Sequence, residues 1–195
     1  MIPELIIVAL LLGWALGGKF GRLADAPIKW IWLLAVPVVL YVAALCISRT
    51  PAIAMKLSWF YGASHLAGKA VLLVFIYANR HIPGAKIVLV GMILNFIAIS
   101  ANGGMMPAKP SAVIAAWDHD FLVKMRNEVH TQSSIGGDNY NVKILCDFIP
   151  AVRPYFLIPG VYSIGDMFIS LGIVIGIIAL MRAPMPQKKI IPQEA

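Results

Sequence analysis

Residues 162–181 read YSIGDMFISLGIVIGIIALM. After Asp166 no charged side chain appears until Arg182, and the run is long enough to cross a bilayer as a helix. The rest of the chain repeats that signal. Of its 195 residues 60% are hydrophobic and only 13% charged, with a mean hydropathy of +0.83. Those figures exclude an ordinary soluble domain and indicate an integral membrane protein.

Five apolar segments stand at or slightly under spanning length: 3–18, 28–48, 62–79, 85–101 and 162–181. The expected fold is therefore all-α, one transmembrane domain over residues 1–195 built as a bundle of about five helices. The opening MIPELIIVALLLGWALGG has no basic stretch and no A-x-A site, so it reads as a retained span. Ala9, Gly13 and Gly17 recur every fourth residue there. Small faces of that kind allow close helix contact, although an Ala/Gly-rich helix gives the same spacing by chance. Pro37 falls inside the second segment and is expected to kink it. Cys46 and Cys146 are too few for a disulfide framework. Cys46 reads as packed within its apolar run, and a bond between the two stays open.

The net charge of +7 marks loops here and not nucleic acid. Lys19, Arg22 and Lys29 lie in one loop, Arg80 and Lys86 in another, and Arg182, Lys188 and Lys189 in the tail. With five spans all three groups share one side. That side is expected to be the cytoplasm, with the N-terminus outside and the C-terminus inside; Arg49 and Lys56 oppose this but are outnumbered. Lys69 lies within the third segment, one turn after His65, where it either snorkels or faces a polar cavity.

The long hydrophilic stretch, 102–160, then falls outside. Within AVIAAWDHDFLVKMRNEVH, Ile114, Trp117, Phe121, Met125 and Val129 recur at steps of three or four. That predicts one amphipathic helix over 113–130, capped by Ser111, lying on the membrane interface or lidding the bundle. His119 and His130 read as solvated. No metal-ligand spacing, P-loop or nucleotide fingerprint occurs, so neither a metal nor a cofactor is expected.

Asp147 and Asp166 both fall near the outer edge of the hydrocarbon, where an unpaired carboxylate is costly. Pro150, Pro154 and Pro159 between them favour a hairpin-like excursion that returns Asp166 toward Asp147. Two carboxylates brought together share a proton, the basis of aspartic peptidase chemistry. The plainer alternative makes Asp166 a helix cap and pairs Asp147 with Arg153 or Lys143.

LCDFI at 145–149 and YSIGD at 162–166 resemble the C-terminal motifs of lipoprotein signal peptidase. That resemblance implies Asp147 and Asp166 as a catalytic dyad, nineteen residues apart, with the second opening the last span. It covers about forty residues. Ser163 stands where the family has Asn, Gly165 where it has Ala, and Asp138 is followed by Asn139 where the family has Arg. The combination NGGMMP, CDFIP and VYSIGD resembles, over most of the chain, a family of small bacterial membrane proteins with a domain of unknown function. That likeness implies a bacterial inner-membrane location and no activity.

Asn102, Gly103 and Gly104 form a turn that either exposes N–H groups beside the aspartates or simply closes the fourth span. Asn95, two turns earlier on the same face, is expected to hydrogen-bond another helix or the site. Two functions remain open on these residues. One is a non-enzymatic subunit, assembly factor or small-ligand binder. The other is an intramembrane aspartic peptidase with Asp147 and Asp166 catalytic, and Asn95, Asn102, Gly103, Gly104 and Ser163 positioning a lipoprotein-like or membrane peptide substrate. The partners expected are the lipid bilayer and either that substrate or another membrane protein.

Overall fold

A computed structural model describes residues 2–50, 53, 56–127, 133–135, 140–156 and 158–183. Five long apolar helices dominate it: α1 (Ile2–Ala15), α2 (Ala35–Ser48), α3 (Ser58–Ala78), α4 (Ala85–Ala101) and, after two short helices, α7 (Ile164–Arg182). Among the described residues three helices are long and apolar enough to cross a membrane: Ile31–Ser48, which joins a 3₁₀ turn to α2, Trp59–Ala78 and Ile164–Arg182. α1 and α4 are shorter apolar helices.

Successive long helices alternate in direction. Pro37 of α2 meets Gly68 of α3, while Ala44 packs on Tyr61 at the other end of that pair. Gly62 of α3 touches Gly103 and Gly104, just beyond α4. Along α4 and α7, Gly91 faces Gly165 and Gly84 faces Gly172. A side chain at Gly91 or Gly84 would run into the backbone of α7, so these glycines set how closely the helices approach. α1 runs parallel to α7: Glu4 accepts from the Ile158 N–H at 3.0 Å at one end, and Gly13 lies against Met181 at the other.

The small face of α1 is shifted from its expected register. Ala9 is fully buried and Gly13 abuts Met181, but a side chain at Gly17 would meet nothing and Gly18 packs on Met181 instead. Gly17 has φ +81°; it stops the helix, as a left-handed residue after a C-terminus does. At that end the Lys19 N–H and the Arg22 guanidinium both donate to Met181 O, at 2.9 and 3.1 Å. Asn79 exchanges two hydrogen bonds with the Lys29 backbone, at 2.7 and 2.9 Å. Lys19, Arg22, Lys29 and Arg80 therefore gather at one end of the bundle, opposite the N-terminus.

The opposite end carries a small cap. Strands β1 (Met106–Ala108) and β2 (Ser133–Ile135) pair in parallel, and β3 (Ile149–Ala151) pairs antiparallel with β4 (Gly160–Tyr162). The second pair is the hairpin expected from the prolines. The one amphipathic helix expected over 113–130 is two helices, α5 (Pro110–Ala116) and α6 (His119–Asn127). Asp118 breaks it: its Oδ1 accepts from the Phe121 N–H at 2.7 Å and starts a new helix. Lys109, followed by Pro110, stands at the N-cap of α5, and Ser111 lies inside the helix. Trp117 and Phe121 still stack across the break, with centroids 4.5 Å apart. His119 is exposed. Val129, His130, Asp138 and Asn139 lie outside the described residues. Cys46 is exposed on α2 and Cys146 is buried, both as free thiols; the packed environment expected for Cys46 is not found, because among the described residues nothing covers its face of α2.

Candidate functional site

Ser163 closes the β3–β4 hairpin in an extended conformation and caps α7. Its Oγ accepts from the Asp166 N–H at 3.1 Å, and Asp166 Oδ2 accepts from the Ser163 N–H at 3.0 Å. This capping box satisfies two donors that a helix start leaves open, and puts a carboxylate at the positive end of the dipole. Asn95 of α4 joins it. Asn95 Nδ2 donates to Asp166 Oδ1 at 2.8 Å, and Asn95 Oδ1 accepts from Ser163 Oγ at 2.8 Å. Gly165 makes this possible, since any side chain there would occupy the space of the Asn95 amide. The expectation that Asn95 bonds another helix holds, and both oxygens of Asp166 are engaged.

Asp147 enters from the other limb of the hairpin. Its N–H donates to Pro107 O at 3.0 Å and its carbonyl accepts from the Lys109 N–H at 2.8 Å. A bridge to Ala108 thus fixes its backbone to the end of β1. Its side chain is a different matter: Oδ1 is buried and has no hydrogen-bond partner among the described residues. Burial, and then the charge of Asp166, push the Asp147 carboxyl up to about 8, while Lys69 pulls it back. Asp147 and Asp166 therefore sense one another, but no hydrogen bond joins them among the described residues. Neither Arg153 nor Lys143 appears among the groups that shift Asp147.

Three residues complete the site. Tyr162 stands among acidic groups: burial raises its phenol, and Glu4, Asp166 and Asp147 raise it further. Lys69 of α3 reaches the field of Asp147 because helix side chains lean toward the N-terminus, here the capped end. His65 Nδ1 donates to Gly104 O at 2.8 Å, which fixes its tautomer and leaves Nε2 as the other ring atom for a ligand. His65 and Lys69 were legible as a one-turn pair in a span. Nothing local marks Tyr162, which depends on the hairpin register.

Asn102, Gly103 and Gly104 lie elsewhere in purpose. Gly104 N–H bonds back to Ile99 O at 2.9 Å, and both glycines have positive φ, 68° and 89°; that is the turn closing a helix C-terminus. Asn102 Nδ2 donates to Ala98 O at 2.7 Å and to Asn141 O at 3.0 Å, and Oδ1 accepts from the Asn141 N–H at 2.8 Å. The side chain pins the 140s loop on α4. It serves the site indirectly, by seating Cys146 and hence Asp147. Cys146 is fully buried against Ala98, Ile99 and Met106, and burial, aided by Asp147, lifts its thiol to about 11.

Comparison with known proteins gives kinship without activity. An uncharacterized protein of Thermotoga maritima is 28% identical over 176 residues, covering 90% of this chain and 89% of that one. No solved structure matches. The model of a family of unknown function, DUF5317, matches residues 25–178, which include every polar residue of the site except Glu4, and the chain belongs to that family.

Proposed function

We propose that this protein is a non-enzymatic binder of a small ligand in the bacterial inner membrane. It would cross five times, with the N-terminus outside and the C-terminus in the cytoplasm. The alternating directions of α1, α2, α3, α4 and α7 support five crossings, and the basic residues gathered at one end support the orientation.

The observation that carries the binding reading is the state of the two carboxyls. Asp166 is spent on Asn95 and Ser163. Asp147 Oδ1 is buried and unpartnered among the described residues. A buried acceptor without a partner costs about 1–3 kcal/mol, which a ligand bringing a donor recovers. The ligand class is then a primary amine or an amide N–H, reaching Asp147 beside Tyr162. An ammonium ligand would displace the Asp147 proton.

A second reading has its own support. Asp147 protonated at neutral pH beside a second carboxylate is the asymmetric pair that aspartic peptidases use. An intramembrane peptidase akin to lipoprotein signal peptidase would act through Asp147 and Asp166.

One experiment separates them. The full chain in detergent is heated with a panel of primary amines and amino-acid amides, and a prolipoprotein reporter is incubated with the same preparation. Binding predicts a saturable rise in melting temperature that Asp147→Asn abolishes, with the reporter intact. Cleavage that both Asp147→Asn and Asp166→Asn abolish would replace binding with peptidase chemistry. Neither a shift nor cleavage would leave the carboxyls a structural role and overturn both.

A further inference from the structure

A second feature lies between α2 and α3. Those helices touch at two levels, Pro37 on Gly68 and Ala44 on Tyr61. Between the contacts they part, and leave a pocket of about 90 Å³ lined by Tyr41, Ser64, His65 and Lys69 among others. The gap follows from the sequence. Gly68 lets Pro37 approach at one level, since a side chain there would press on the proline ring, and small Ala44 meets Tyr61 at the other, so the pocket lies between two close contacts.

The lining is polar on one wall only. Ser64 Oγ already donates to Tyr61 O at 3.0 Å, and His65 Nδ1 to Gly104 O at 2.8 Å. Lys69 is half-buried and forms no ion pair or hydrogen bond among the described residues. Asp147 lies within its field, but the Asp147 carboxyl stays protonated to about pH 8, so at neutral pH it is not a formal counter-charge. A lysine inside a span normally has a partner or reaches the headgroups. On the opposite wall Tyr41 is 42% exposed, and its α2 neighbours Val38 and Val42, outside the pocket, are 59% and 51% exposed; among the described residues nothing covers that side.

We propose that this pocket binds the anionic head of a single-chain amphiphile, a carboxylate or phosphate seated on Lys69, with its chain lying along α2 in the bilayer. The chain is needed because a free inorganic anion would be stripped of water to reach mid-span, at a cost that one lysine does not offset. Three N–H donors of the ammonium match the oxygens of such a head, and Tyr41 lines the same pocket. The pocket shares His65 and Lys69 with the surroundings of Asp147 but differs in what it takes: an anion and not a donor.

The test is a titration of the purified full chain, in zwitterionic detergent at pH 7, with decanoate, dodecyl phosphate, decanol, acetate and inorganic phosphate, against blank micelles. Decanoate or dodecyl phosphate should bind saturably and decanol at least tenfold more weakly; the tighter of the two acids identifies the head. Lys69→Gln should weaken the acid at least tenfold and Lys69→Arg should retain it, each variant first shown to be monodisperse. Asp147→Asn should bind the acid at least as well as wild type, so the outcome is independent of the Asp147 reading. Equal binding of acid and alcohol, or undiminished binding by Lys69→Gln, overturns the proposal. Acetate or inorganic phosphate binding as tightly as the amphiphiles overturns the need for a chain.

Discussion

Asn95 and Asp166 are joined by a hydrogen bond of 2.8 Å across the α4–α7 contact, and the same amide accepts from Ser163 Oγ. One side chain on α4 thus completes the cap of α7. Asn95→Ala leaves Ser163 Oγ, which is fully buried, and Asp166 Oδ1 each short of a partner. The expected loss is about 2–4 kcal/mol, from one to two unsatisfied groups, read as a lower unfolding midpoint in detergent. An unchanged midpoint would mean that water replaces the amide.

Gly165 tests the same contact sterically. Gly165→Ala places a methyl group where the Asn95 amide and the Gly91 carbonyl lie. Since one obstacle is backbone, the helices must separate, and the expected cost is at least about 2 kcal/mol. The double variant Gly165→Ala with Asn95→Ala should lose less than the two single losses added, because the Asn95 clash is then gone. Simple additivity in thermal or denaturant unfolding would remove Asn95 as the obstacle.

Asp147 makes stability depend on pH in a definite direction. Its carboxyl is near 8 in the folded protein against an ordinary value of 3.8. Between those values the folded state holds a proton that the unfolded state has released. Its contribution is therefore greatest below about pH 4, falls as pH rises toward 8 and levels off above. Asp147→Asn preserves the neutral form and should flatten that slope. At pH 9 it should exceed wild type by on the order of 2–5 kcal/mol, at about 1.4 kcal/mol per pH unit. Parallel pH profiles for wild type and variant would show that Asp147 is ionised throughout.

Val142 carries strain that the Asn102 clamp holds in place. Its φ is +51°, a left-handed conformation that costs a β-branched residue roughly 1–2 kcal/mol. Val142 is 40% exposed, so little packing is lost on removal. Val142→Gly should raise the unfolding free energy by up to about 1 kcal/mol, net of the entropy glycine gains when unfolded, read as a higher unfolding midpoint. A fall would place the valine side chain against the bilayer or a partner.

Much of the bundle was legible. The segment 85–101 coincides with α4, Ala85–Ala101, and 162–181 with α7, Ile164–Arg182, because long uncharged runs bounded by Gly, Asn or a capping Ser–Asp pair leave one economical structure. The hairpin between Asp147 and Asp166 followed from its prolines. The amphipathic stripe over 113–130 reads as one helix but folds as two, since periodicity does not register that Asp118 competes for a backbone N–H. Asn102 looked available for a ligand because nothing near it in sequence reveals Asn141, its partner across the turn.

Hydrophobic run length, turn chemistry and cap signals are local, and the sequence by itself determined them: apolar helices long enough for a membrane, a polar cap, and an aspartate at the start of the last helix. Which carboxyl is satisfied and which is left wanting was decided by tertiary structure alone. Asn95 reaches Asp166 only because glycines let α4 and α7 approach, and Lys69 reaches the field of Asp147 only because α3 stands against the capped end. Charge and hydrogen bonding act over ångströms between residues dozens of positions apart, and only the packed fold sets those distances.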